Sequence, residues 1–314
     1  MGVAISALNQ VVLDTTPTLE NVGGVPDIAI LSSGVKRRHT YFSRTFEKIP
    51  GIVRITCATQ HPAVGSFSTA PMSNKSTLMQ QLLAAAKDVR GANKPLKIMI
   101  DVSCLPRPFI AEVFACLTII AQTRDVELHV AYSLATYGPS PLVWAVPNRT
   151  ICPVHPTFSG WTSEGASAPL DIVVGLGYER GKALGAVEYL EPRHRWICVP
   201  QSPEAAYLAE VRRHNKNLID NSKERVAYYQ VLSPVDTYFS LRSLVEGIAR
   251  GARPVLLPFG PKLFFAVNLL VAMTVEEAAV WHVTGESDEY SERSPSRHST
   301  ILSCLISQPQ STLT

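Results

Sequence analysis

Four short loops carry the residues whose types and spacing suit ligand chemistry: Ser32-Ser33-Gly34, Ser103-Cys104-Leu105-Pro106-Arg107, the run Gly175 to Gly181, and Phe259-Gly260-Pro261-Lys262. Serine hydroxyls donate to oxyanions, and glycines let backbone N–H groups approach a ligand closely. Arg107, Arg180 and Lys262 supply a cation in three of the four loops. The last three loops each precede an expected helix, whose N-terminus adds positive dipole charge. The chemistry is capture of a small anion, with Ser32, Ser33, Gly34, Ser103, Arg107, Gly175, Gly177, Arg180, Gly260 and Lys262 as candidate contacts. Read singly, any of these loops is equally a plain turn, because Gly and Pro reverse the chain and a surface cation needs no ligand. A Pro followed by Arg or Lys at the same place in two loops favours a ligand, since a turn requires no cation there.

Candidates for a reaction are fewer. Asp101 closes an apolar strand beside Ser103 and could act as a base, and a turn-capping aspartate explains it equally; Glu179 is the third candidate. Cys104 lies near a helix N-terminus, which lowers a thiol pKa, yet a passive cysteine also fits. Asn215, Asn217 and Asn221 with Lys216 either read a base or ribose or end a helix. The Gly175-x-Gly177-x-x-x-Gly181 spacing is one residue longer than the dinucleotide fingerprint, and Pro200-Gln201-Ser202 follow the next strand where a ribose-binding acid belongs. NAD chemistry is therefore poorly supported, and no P-loop signature occurs. The eight histidines show no metal-ligand spacing, and His129 and His282 fall on strands where a structural histidine is the commoner outcome. No metal and no resident cofactor are expected.

The elements that must position these loops alternate. Strands are expected at 27–31, 51–57, 96–101 and 126–132, with helices at 76–90 and 109–122 between them. The pattern then restarts, with strands at 171–174, 195–199, 226–231, 254–257 and 278–283 and helices at 182–190, 207–221, 237–250 and 262–273. Asp27-Ile-Ala-Ile-Leu31 matches Asp171-Ile-Val-Val174, and Leu105-Pro-Arg-Pro-Phe-Ile-Ala111 matches Gly260-Pro-Lys-Leu-Phe-Phe-Ala266, in the same order. This predicts an internal duplication: an α/β chain of two tandem Rossmann-like units, each a mainly parallel sheet with helices on both faces. The expected organisation is an N-terminal extension at 1–25, a first unit at 26–138 and a connector at 139–169. A second unit at 170–284 follows, then a tail at 285–314, disordered or loosely docked. Trp144 and Trp161 suggest that the connector packs on a unit.

Composition excludes whole classes. The 314 residues are 46% hydrophobic and 18% charged with net charge +3, which fits globular units and excludes a disordered chain or a dedicated binder of extended nucleic-acid duplex. Six cysteines without a Cys-x-x-Cys pair fit buried reduced thiols in a cytoplasmic protein. The N-terminus lacks a basic segment before its apolar stretch, and Asn268 interrupts the longest apolar run, so neither a secretory signal nor a membrane partner is expected.

Ser32-Ser33-Gly34 after a first strand, and Phe259-Gly260-Pro261-Lys262-Leu-Phe-Phe-Ala266 between a late strand and an apolar helix, resemble CRISPR-associated Rossmann-fold (CARF) domains and the related SAVED domains of prokaryotic antiviral defence. The resemblance spans roughly residues 26 to 284. It implies a nucleotide-sensing module that binds a cyclic oligonucleotide or related nucleotide in a pseudo-two-fold cleft. No effector domain is expected in the remaining residues, so the partner the resemblance implies is a separate effector protein. Two other functions stay open: an enzyme acting on a nucleotide or phosphorylated metabolite through Asp101, Ser103 or Glu179, and a protein-interaction scaffold with no small ligand.

Overall fold

The computed structural model describes residues 2–34, 37–47, 49–57, 75–89, 94–138, 148–160, 168–285 and 293–309. In chain order the elements are β1 (Ala4–Leu13), β2 (Ile28–Ser32), α1 (Ser43–Phe46), β3 (Val53–Cys57), α2 (Lys75–Asp88), β4 (Leu96–Asp101), α3 (Arg107–Ile120) and β5 (Val126–Ala135). They continue with β6 (Asn148–Pro153), β7 (Leu170–Gly175), α4 (Lys182–Leu190), β8 (His194–Gln201), α5 (Ala205–His214), α6 (Lys216–Asp220) and β9 (Val226–Gln230). The last are α7 (Pro234–Ala249), β10 (Arg253–Pro258), α8 (Lys262–Thr274), β11 (Ala279–Gly285) and β12 (Pro295–Ser307).

The chain forms two compact units, Val3–Leu134 joined by the residues from Ser294 onward, and Ala135–Arg293. Each holds a six-stranded sheet, ordered β1-β12-β5-β4-β2-β3 in the first and β6-β11-β10-β7-β8-β9 in the second. The pairs β2–β3, β2–β4, β4–β5, β7–β8, β8–β9, β7–β10 and β10–β11 are all parallel. Antiparallel strands lie at the edges, β1 against β12 and β6 against β11. Both units are therefore the Rossmann-like α/β type that strand–helix alternation predicts.

Near-continuous Ile, Leu and Val runs fit strands covered on both faces. In the second unit Ile172, Val174, Ile197, Val199, Val255 and Leu257 pack with Ala183 and Ala186 of α4, Val211 of α5 and Leu218 of α6. Cys198 points to the other face, which is covered by α7 and α8 packed on each other. In the first unit Ala29, Leu31, Met99 and Ala131 pack on Phe42 and Phe46. Alternation turns Ile28, Ile30, Ile98 and Ile100 the opposite way, and all four are fully buried.

Three segments depart from the sequence reading. β12 is no loose tail, since it lies between β1 and β5 inside the first sheet, and β1 is an edge strand of that sheet. The expected connector contains β6, an edge strand of the second sheet; Trp144 and Trp161 themselves lie outside the described residues. The helix expected over 207–221 breaks at Asn215 into α5 and α6. The matched aspartates also differ in use. Asp27 accepts from the Lys97 N–H of β4 at 2.8 Å, whereas Asp171 accepts from the His194 N–H of β8 at 3.2 Å and forms a two-point pair with Arg193. Each clamps the start of a neighbouring strand, on opposite sides of its own. Among the described residues no helix is long and apolar enough to cross a membrane.

Candidate functional site

Strand order decides where the crevice lies. In the second unit the parallel strands begin at β7, step out to β8 and β9, and return to β10 on the far side of β7. Neighbouring loops leave the carboxyl ends of β7 and β10 in opposite directions there, the switch point at which such sheets bind ligands. The Phe259 and Gly260 N–H groups both donate to the Gly175 carbonyl, at 2.8 and 3.1 Å, so the two loops are stitched together.

Glycine is required by this contact. A Cβ at position 260 would lie 2.9 Å from both the Leu176 carbonyl oxygen and the Tyr229 hydroxyl. One at position 177 would come within 2.7 Å of the Phe259 carbonyl oxygen and overlap Glu179 Oε2, and one at position 175 would overlap the Phe264 ring. The break between α5 and α6 serves the same loop. Asn215 Nδ2 donates to the Gly177 carbonyl at 2.8 Å, and His214 Nδ1 donates to the Tyr178 carbonyl. Because a trans peptide sets its N–H opposite its C=O, the Tyr178 and Glu179 N–H groups point away from α5.

Beside these turns lies a cleft of about 190 Å3, lined by Cys198, Tyr229, Gln230, Ser233, Asp236, Thr237 and Phe264 among others. Its aromatic wall is Tyr229 stacked on Phe264, with ring centroids 4.3 Å apart and planes 22° from parallel. The Tyr229 hydroxyl meets Gly260, so the cleft and the glycine turns adjoin. Pockets for drug-sized ligands span roughly 300–1,000 Å3, so this one takes a single ring-sized group. Asp236 and Ser233 supply polar atoms to a wall that is otherwise mostly apolar.

The expected cations are placed differently from one another. Lys262 opens α8 and is only 8% exposed, whereas Arg180 is exposed. Arg107 opens α3 and is half-buried. A further cation comes from the chain just before β12: the Arg293 guanidinium lies 4.5 Å from the Tyr178 ring centroid and 5.9 Å from that of Tyr137.

In the first unit the equivalent switch point lies between β2 and β4. Ser32 is buried and its hydroxyl pairs with His39 Nδ1, while Ser33 donates its N–H to the Cys57 carbonyl at 3.0 Å. A Cβ on Gly34 would overlap the His39 ring. Asp101 Oδ1 accepts from the Ser103 N–H at 3.0 Å, and the fully buried Ser103 hydroxyl accepts from the Ser133 N–H at 2.8 Å. Arg38 fixes the same corner by donating from Nε and a terminal nitrogen to the Ser133 carbonyl. Asp101 and Ser103 thus hold the β4–α3 turn against β5. Among the described residues no three His, Cys, Asp or Glu side chains are grouped to hold a metal ion.

The structure brings Gly175, Gly177, Gly260 and Glu179 together and leaves Arg180 outside. Sequence reasoning missed Tyr229, Ser233 and Asp236. Their signal was weak but present: an aromatic pair, Tyr228-Tyr229, ends a strand immediately before Ser233-Pro234-Val235-Asp236, a helix-start pattern. The chain matches no protein-family model and no curated protein.

Proposed function

We propose that the second unit binds a nucleotide, with its base or ribose in the cleft walled by Tyr229 and Phe264 and its phosphate at the β7 and β10 turns. The observation that supports this is the contact of Tyr229 with Gly260, which joins a ring-sized cleft to a glycine-lined crevice at a switch point. Aromatic walls hold bases through their π-faces, and N–H groups turned away from α5 suit an oxyanion. In this reading the chain is a sensing module akin to CARF and SAVED domains. It takes a cyclic oligonucleotide or related nucleotide, passes the signal to a separate effector protein, and serves antiviral defence. Asp101 and Ser103 have turn-holding roles, so no catalytic role is assigned to them.

Calorimetric titration with cyclic and linear nucleotides tests this reading. Binding by the wild type that falls at least tenfold in both Tyr229→Ala and Asp236→Ala supports it. No binding by the wild type, or unchanged affinity in both variants, removes it.

A further inference from the structure

The cleft beside the glycine turns holds a carboxylate and, among the described residues that line it, no Lys, Arg or His. Asp236 lines it from the first turn of α7, is exposed, and makes no hydrogen bond or ion pair among the described residues. The helix dipole favours an acid in that turn, which accounts for the residue type but not for its place in a cleft with an aromatic wall. Two other polar side chains of the lining are already engaged. Gln230 donates to Gln201 Oε1 at 2.7 Å, and the Thr237 hydroxyl donates to the Ser233 carbonyl at 2.8 Å. The cleft thus offers a flat wall, Tyr229 stacked on Phe264, together with a carboxylate able to accept two hydrogen bonds side by side.

Of the groups a nucleotide could place there, charge and donor pattern select one. A phosphate would meet like charge. Every base has a π-face for the wall, so the base edge decides. Adenine and cytosine each set an exocyclic amino donor beside a ring nitrogen whose lone pair would face the carboxylate. Uracil and thymine flank their ring N–H with two carbonyl oxygens. Guanine presents a ring N–H next to an amino group, two parallel donors that match the two carboxylate oxygens. From this geometry we infer that Asp236 accepts both hydrogen bonds and makes the cleft selective for guanine. The inference rests on the nucleotide reading above and adds the base that this site selects. A base that brings an acceptor to the carboxylate is rejected by repulsion as well as by the lost bond.

Calorimetry on the full chain tests the inference, with guanosine, adenosine, inosine and xanthosine monophosphates and the cyclic dinucleotides of guanosine and adenosine. The wild type is expected to bind guanosine ligands on the order of 10- to 100-fold more tightly than their adenosine counterparts, the range for hydrogen bonds to a charged group. Inosine monophosphate, which keeps the ring N–H and lacks the amino group, falls between them. Asp236→Asn replaces one acceptor oxygen with a donor, so the ratio of guanosine to adenosine affinity falls towards one. In the same variant xanthosine monophosphate, with a carbonyl where guanine has its amino group, gains on guanosine monophosphate. Each ratio is read within one protein, so a change in stability does not shift it. Equal affinities, or a preference for adenosine, in a wild type that binds nucleotides overturn this inference alone. A full guanine preference retained in Asp236→Asn overturns it as well. No binding of any of these nucleotides defeats the nucleotide reading itself.

Discussion

Pro106 and Pro261 start their helices with nearly the same backbone, φ −62° and ψ 142° at one and φ −53° and ψ 147° at the other. Both stand after the strand that returns beside the first of the unit's parallel strands, β4 beside β2 and β10 beside β7. The sequence match of Leu105–Ala111 with Gly260–Ala266 is thus also a match of topological position and local conformation. Proline suits this place because its fixed φ fits an extended cap and a helix start has N–H groups to spare. The cation that follows is a separate matter, since Lys262 is buried and Arg107 is only half-buried.

Burial decides what the two cations of the second unit contribute. Lys262→Ala removes a buried side chain at the start of α8 and is expected to cost roughly 1–3 kcal/mol. Arg180→Ala, at an exposed position, is expected to stay within about 0.5 kcal/mol of the wild type. Urea unfolding of the two variants checks this, and equal losses would contradict a stabilising role for the buried Lys262 side chain.

Two glycines separate by the same logic with opposite signs. Gly260→Ala forces a methyl to 2.9 Å from a backbone carbonyl and is expected to destabilise by roughly 1–3 kcal/mol. Gly247, inside α7, has nothing within 4 Å of a Cβ, so Gly247→Ala is expected to stabilise by roughly 0.5–1 kcal/mol. Thermal melts read the difference directly.

The alternating core was legible because strands such as Ile98-Met-Ile and Val255-Leu-Leu are apolar on both faces and each is followed by punctuating Pro or Gly. β12 was not legible. Its buried positions include Ser299 and Thr300, and Thr300 is satisfied by donating to the Val11 carbonyl at 3.1 Å, so burial left no apolar alternation to read. Its partner β1 lies at the other end of the chain, a pairing that local pattern cannot reveal. The glycines of the site were visible as turn residues. Tyr229 and Asp236 were not, because their importance comes from strand order, which places β9 and the start of α7 beside the crevice.

Thiol reactivity follows burial. Burial pushes the Cys116, Cys198 and Cys304 thiols up to about 12, with Glu112 adding to the rise at Cys116. Cys152, expected to be buried with the rest, is exposed. Native alkylation at pH 8 followed by peptide mass spectrometry is expected to mark Cys152 first and the three buried cysteines only after denaturation. Early marking of Cys198 would mean that the sheet face under the cleft opens readily.

His129 makes stability depend on pH. Its ring is 2% exposed, with Nε2 3.0 Å from Glu127 Oε1 and Nδ1 2.7 Å from the Ser303 hydroxyl. A neutral ring protonated on Nε2 satisfies both: it donates to the carboxylate and accepts from the serine. Burial lowers its pKa below the ordinary 6.5; Lys97 adds to the lowering, and Glu127 opposes it by charge and hydrogen bond. The unfolded chain therefore takes up the proton first as pH falls. Its contribution to stability is fully present above about 6.5 and is lost as pH falls towards the folded value. Urea unfolding at pH 8 and pH 5 is expected to show a larger loss on acidification in the wild type than in His129→Gln. The same loss in both proteins would assign the pH dependence to other groups.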